Sequence, residues 1–179
     1  MRTHNLDIVD RYAALVRELE ADGVTLADKA RTWHQRAIAA LLWPINRRYL
    51  DGYVTTIGRT IYLPDGWSAR PEADRWATLR HERVHVAQFR RFGLVPMAIA
   101  YLLLPLPLGL AWCRMRLERE AYEETVRCHF ALGGRAATDA IRAHVIAQFT
   151  TGAYGWMWPF RRALERWYDG FVASLETHK

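Results

Sequence analysis

The spacing of apolar residues divides the chain into helical segments on either side of a short β segment. Residues 7–21 and 26–43 carry apolar side chains at helical intervals, which predicts two helices. In the first segment the apolar positions share one face of the helix. An amphipathic face of this kind has to be buried. We expect the first helix to cover the apolar back of the core and stabilise it.

The residue pattern is no longer helical at residues 53–67, whose sequence is YVTTIGRTIYLPDGW. This stretch is rich in β-branched and aromatic residues and carries Gly58 and Arg59 at its centre, a pattern that predicts a short β-hairpin or two strands. The rest of the chain has helical spacing, beginning with a helix from Pro71 to a C-cap at Gly93. The predicted fold class is therefore α+β and mostly helical, with a short hairpin packed on a long helix.

An uncharged stretch follows this helix, between Arg91 and Arg114. Its length matches a membrane span, but four residues interrupt it. They are Pro96, Pro105, Pro107 and Gly109. A helical hairpin is the better interpretation, with one helix around 94–104 and then a turn. We expect the hairpin to be buried in the core, and peripheral membrane contact through residues 94–112 is the alternative.

Composition predicts a single globular domain over residues 1–179, since 51% of the 179 residues are apolar and 25% are charged. The two cysteines, Cys113 and Cys128, fall on one predicted helix and lie about 22 Å apart, too far for a disulfide. We therefore expect reduced thiols and a cytoplasmic protein. The net charge of +6 is spread along the chain and accompanies no nucleic-acid recognition motif, so no nucleic-acid partner is expected.

The helix that begins at Pro71 contains the pattern HExxH, formed by His81, Glu82 and His85. Residues four apart lie one above the other on a helix, so both imidazoles can reach one zinc ion (Zn2+). The glutamate beside them can take a proton from a water that the metal has made acidic. The spacing therefore predicts a zinc centre with Glu82 as general base.

A catalytic zinc needs a third protein ligand. The extended pattern HExxHxxGxxH is absent, because Gln88 and Arg91 stand where its glycine and third histidine would be. A metzincin is therefore excluded. Residues 117–130 predict a second helix dense in carboxylates, in which Glu120 is followed by an alanine and, one turn later, by Glu124.

HExxH followed by a helix bearing Glu-Ala-x-x-acid resembles the gluzincin zinc metallopeptidases, particularly their small single-domain members, the minigluzincins. The resemblance covers residues 53–130 and leaves an N-terminal helical segment (1–50) and a C-terminal helical part (131–179) outside it. It implies a zinc-dependent peptidase that acts on a peptide or protein. It leaves endopeptidase and aminopeptidase modes open.

Carried over to this chain, the resemblance implies that His81, His85 and Glu120 bind zinc and that Glu82 is the general base. It also implies that Glu124 holds His81 from behind, which would fix the tautomer of that imidazole. Glu118 and Glu123 remain rival ligands. Because Glu118 and Glu120 are two positions apart, they point to nearly opposite sides of a helix and only one can face the metal.

Two further roles are expected from the resemblance. Tyr154 and His144 are candidates for the group that hydrogen-bonds the oxyanion, although each also suits a packing role. A peptide substrate would add antiparallel to an edge strand. The strand before the active helix is the expected edge, and its residues are Thr60, Ile61, Tyr62 and Leu63.

The sequence thus predicts zinc-dependent peptide hydrolysis. The alternative is a catalytically silent or latent zinc-binding module that serves as a sensor or membrane-surface adaptor, peripheral at the inner membrane surface. Latency would require the first helix, or residues 24–50, to lie across the cleft instead of covering the core. A single membrane span through residues 92–113 would separate Glu120 from the histidines by a bilayer, so a span and a gluzincin site exclude each other.

Overall fold

A computed structural model describes residues 2–43, 49–102, 111–151 and 157–177. It confirms a mostly helical α+β fold with one small sheet. The elements in chain order are α1 (Arg2–Ala21), β1 (Thr25–Asp28), α2 (Trp33–Leu42), α3 (Tyr49–Gly52), β2 (Thr55–Ile57), β3 (Thr60–Leu63), a 3-10 turn (Trp67–Ala69), α4 (Glu72–Phe92), α5 (Leu94–Leu102), α6 (Trp112–Thr150) and α7 (Arg161–Thr177).

The chain divides into two compact units, residues 1–91 and 92–179. The first contains the sheet, α1 to α3 and nearly all of α4, and the second contains α5 to α7. The boundary falls inside the segment 53–130 that carries the gluzincin resemblance. The histidines of the HExxH pattern therefore belong to the first unit, and the carboxylates of α6 belong to the second.

The predicted hairpin is present, and a third strand joins it. β2 and β3 pair antiparallel, with Thr56 opposite Ile61, across a two-residue turn at Gly58, whose φ of +62° is the left-handed region that glycine tolerates. β1 pairs parallel with the other side of β3, so the sheet order is β1-β3-β2. Among the described strands β3 is central, and β1 and β2 lie at the two edges.

This topology corrects the predicted substrate edge. Thr60, Ile61, Tyr62 and Leu63 form β3, which has a partner strand on both sides and no edge to offer a peptide. The local sequence pattern did not indicate that β1 pairs with β3, because β1 falls largely inside the segment 26–43, which was predicted to be helical. Pairing with β3 overrides that local spacing, and α2 begins only at Trp33.

α1 forms as predicted and packs within the first unit. Leu15 and Leu19 are buried, and the hydroxyl of Tyr12 accepts a hydrogen bond from the indole of Trp67 at 3.2 Å. Glu18 pairs with Arg83 of α4 at 2.8 Å. Because Arg83 lies about 200° around the helix from each histidine, α1 packs on the flank of α4 away from them. These contacts favour the stabilising interpretation of α1.

α4 follows the sequence prediction at both ends. It begins directly after Pro71, with Glu72 and Asp74 in its first turn, and ends before Gly93, whose φ is +83°. α5 follows at once, within the predicted helix around 94–104. Among the described residues no helix is long and apolar enough to cross a bilayer. The predicted Pro105–Gly109 turn lies outside the described residues.

In the second unit α6 runs over 39 residues and is interrupted at Gly134, where φ is +62° and ψ is −149°. α7 folds back along it. The hydroxyl of Tyr168 donates to the carbonyl of Thr138 at 2.6 Å, and Arg142 makes two hydrogen bonds to Asp169, at 2.7 and 2.8 Å. Both cysteines lie on α6, and neither forms a disulfide. This helical pair fixes which face of α6 is buried.

Candidate metal centre

α4 places three ionisable side chains of the HExxH pattern on its buried side. His81, Glu82 and His85 are 9%, 7% and 7% exposed. Polar side chains are buried only where they have partners, since the loss of hydration is otherwise uncompensated. The arrangement is therefore a built polar site and differs from a pair of solvated histidines.

The two histidines aim the same ring atom at one point. His81 Nε2 and His85 Nε2 lie 3.2 Å apart, with the ring planes inclined at 75°. Two nitrogens bound to one tetrahedral zinc, each about 2.0–2.1 Å from the ion, would be about 3.3 Å apart. The observed separation fits a shared metal ion.

A third residue of α4 sets the tautomer of His85. Its Nδ1 lies 2.9 Å from Oε1 of Gln88, which is 4% exposed. An amide oxygen only accepts hydrogen bonds, so Nδ1 carries the proton and Nε2 presents its lone pair toward His81. Gln88 therefore orients the imidazole of His85. The sequence signal was its position three residues after His85, on the same helix face.

The preference for Glu120 as the third ligand, over its rival Glu118, stays a prediction. The two residues differ in burial, since Glu118 is 3% exposed and Glu120 is exposed on α6. The physical reason is the phase of the helix: Glu118 shares the buried stripe of α6 with Met115, while Glu120 lies nearly opposite.

The other acidic residues of α6 have contacts of their own. Glu123 accepts a hydrogen bond from the indole of Trp167 at 3.0 Å, which ties α6 to α7. Glu124 lies 3.2 Å from a guanidinium nitrogen of Arg127. The role of Glu124 as the partner of His81 stays a prediction.

The two predicted oxyanion donors have different outcomes. His144 is exposed on α6, and its Nε2 lies 3.3 Å from the side-chain amide of Gln148. Tyr154 lies outside the described residues. The identity of the oxyanion donor therefore stays a prediction.

Glu82, the predicted general base, is held by strand β2. Thr56 donates a hydrogen bond from its hydroxyl to Oε2 of Glu82 at 2.6 Å. A short hydrogen bond to a carboxylate is among the stronger hydrogen bonds in proteins. Thr56 thus fixes the direction of the Glu82 side chain.

A buried lysine, Lys29, binds strand β2 at Thr55, the residue next to Thr56. Lys29 is fully buried, and its ammonium donates to Thr55 Oγ1 at 2.7 Å and to the carbonyl of Tyr53 at 3.0 Å. It also lies 3.8 Å from the ring centre of Tyr49. Since Thr55 and Thr56 are adjacent, their side chains point to opposite faces of the sheet. β2 is therefore held by Lys29 on one face and by Glu82 on the other.

Burial has the largest effect on the pKa of Lys29. It lowers the pKa of Lys29 from 10.5 to about 8, against the opposing effect of the carboxylates of Glu82 and Asp51. Sequence reasoning missed Lys29, although one signal was available. It is one of only two lysines in a chain whose other 23 basic residues are arginines.

Comparison with family models, with curated proteins and with solved structures found no match for this chain. The function is therefore argued from the chemistry of the site alone.

Proposed function

We propose that the protein is a zinc-dependent peptidase. The observation that carries the proposal is the pair of buried imidazoles of His81 and His85, whose Nε2 atoms lie 3.2 Å apart. We take the buried Glu118 as the third ligand, with Glu120 as its rival. Two histidines and one glutamate are a donor set typical of catalytic zinc, which keeps a fourth position open. Carboxylate and neutral imidazole donors suit zinc well, and Gln88 holds His85 in the tautomer that binding requires.

Held by His81, His85 and the proposed third carboxylate, a zinc ion would supply Lewis-acid chemistry, which would lower the pKa of a water and polarise the scissile carbonyl. Glu82 accepts the proton from that water and passes it to the leaving amine. The hydrogen bond from Thr56 to Oε2 fixes the direction of the Glu82 carboxylate, as proton transfer in a set geometry requires.

The substrate class follows from the sheet. β2 is an edge strand, and an extended peptide can add to it through main-chain hydrogen bonds. Thr56 belongs to this strand and contacts Glu82, so the edge and the general base are physically linked. We therefore assign substrate binding to the outer side of Thr55–Ile57, in place of β3.

The experiment compares zinc content and peptide turnover in four purified proteins: wild type, Glu82→Gln, Glu118→Ala and Glu120→Ala. Wild type should hold about one zinc per chain. Glu118→Ala should bind zinc at least 100-fold more weakly, beyond the 10- to 100-fold typical of losing a supporting residue. Glu120→Ala is the matched control, because it removes the same carboxylate from the exposed side of α6.

Glu82→Gln tests the chemistry separately from the metal. The amide is nearly isosteric but cannot take a proton, so this variant should keep zinc and lose hydrolysis of a degenerate peptide library. Equal zinc content in wild type and Glu118→Ala would refute the ligand set. Full zinc content in wild type with no turnover would refute the peptidase and leave a silent zinc-binding module.

A further inference from the structure

Helix α2 presents an exposed face with a tryptophan at each end. The exposed positions recur at helical intervals and lie within one third of the helix circumference. Trp33 is 78% exposed and Trp43 is 58% exposed. The residues of this face, here called the α2 face, are Trp33, Arg36, Ala37, Ala40 and Trp43.

The charged residues near the α2 face are mainly basic. Asp28 is an exposed acidic neighbour, and its carboxylate accepts hydrogen bonds from the backbone N–H groups of Ala30 and Arg31, at 2.9 and 3.3 Å. Between Asp28 and Asp51 the sequence contains no acidic residue, but it contains four arginines, at positions 31, 36, 47 and 48. Arg31 and Arg36 are exposed, and among the described residues neither forms an ion pair with a carboxylate. The surface is therefore basic and aromatic together.

We propose that the α2 face docks on the surface of an anionic lipid bilayer. Tryptophan favours the boundary between headgroups and acyl chains, because its ring is apolar and its N–H needs a polar partner. Ala37 and Ala40 between the tryptophans allow the helix backbone to approach that boundary closely. The ten-residue helix is about 15 Å long, so it lies in the interface and does not cross the membrane.

The chemistry favours lipid over the other partners of a basic surface. A nucleic acid needs a row of cations along its phosphate track, whereas four of the five residues of the α2 face are apolar. Arg36 lies on this face and Arg31 just before the helix, an arrangement that suits guanidinium groups reaching lipid phosphates while the ring side chains reach the acyl boundary. The inference uses no residue of the proposed metal centre and does not depend on the peptidase.

The contribution of the two tryptophans to lipid binding is tested by sedimentation with vesicles of phosphatidylcholine alone or mixed with phosphatidylglycerol. Wild type should bind the mixed vesicles, and its tryptophan emission should shift to the blue. Trp33→Ala/Trp43→Ala should bind at least about tenfold more weakly, since losing even one buried aromatic side chain has an effect of that order. Trp112→Ala is the control, since Trp112 is 54% exposed in the other unit.

The electrostatic part uses charge-matched variants. Each arginine near an anionic surface contributes about fivefold in affinity, so Arg31→Gln/Arg36→Gln should bind about 25-fold more weakly. Arg162→Gln/Arg166→Gln removes the same charge from exposed positions on α7 and should stay within about twofold of wild type.

Four results would overturn the proposal. They are failure of wild type to bind the mixed vesicles at low salt, equal losses in both arginine pairs, loss in Trp112→Ala alone, and tighter binding to an oligonucleotide than to the vesicles. Equal losses would assign binding to net charge. Loss in Trp112→Ala alone would assign membrane contact to residues 94–112 instead.

Discussion

The buried ammonium of Lys29 makes stability depend on pH in an unusual direction. The folded protein releases this proton near pH 8, while the unfolded chain keeps it to about pH 10.5. Between these two pH values the unfolded state binds more protons, so the free energy of unfolding should rise with pH. The difference of about 2.5 pH units corresponds to a rise of about 3 kcal/mol. Below pH 8 the full cost of burying the charge is present.

The assay is urea unfolding of wild type and Lys29→Met, followed by tryptophan fluorescence at a series of pH values from about 7 to 10.5. The quantity compared is the change in unfolding free energy with pH, and its absolute value is not needed. Wild type should gain about 3 kcal/mol relative to Lys29→Met over this range. The other titrating groups remain in both proteins and cancel in the comparison.

Lys179→Met is the matched control because it removes the only other lysine of the chain. It should keep the wild-type pH dependence. If wild type and Lys29→Met gain the same stability between pH 8 and 10.5, Lys29 does not lose its proton on folding in this range, and the argument from burial is refuted.

Three other predictions follow from single contacts. Gln88→Ala should weaken zinc binding 10- to 100-fold by freeing the ring of His85, and metal titration that gives wild-type affinity would contradict this role. Thr56→Val should leave zinc content unchanged and lower peptide turnover at least tenfold, because Glu82 loses a charge-assisted hydrogen bond; unchanged kcat would exclude a positioning role. Leu19→Ala should lower the free energy of unfolding by about 2–5 kcal/mol, because Leu19 is buried. Removal of residues 1–21 should lower the melting temperature without raising peptide turnover. Higher turnover in a truncated protein that stays folded would instead support the hypothesis that α1 covers the cleft.

The sequence alone determined the features that depend on local chemistry. The spacing of His81 and His85 fixed both imidazoles on one side of a helix, and Pro71 and Gly93 fixed where that helix begins and ends. The β-branched residues around Gly58 determined the hairpin. These features arise within a few residues, so helical periodicity, capping and turn conformation are enough to predict them.

The tertiary structure decided the features that depend on which surface is buried. Two carboxylates two positions apart have equal local propensity, and only the packing of α6 puts Glu118 inside and Glu120 outside. β3 is not the edge strand that was expected, because β1 pairs with it. β1 comes from a distant segment whose apolar spacing had predicted a helix. Lys29 became a buried charge for the same reason, since β1 carries it against Thr55 and Tyr53. Burial depends on residues far apart in the chain, which no local pattern records.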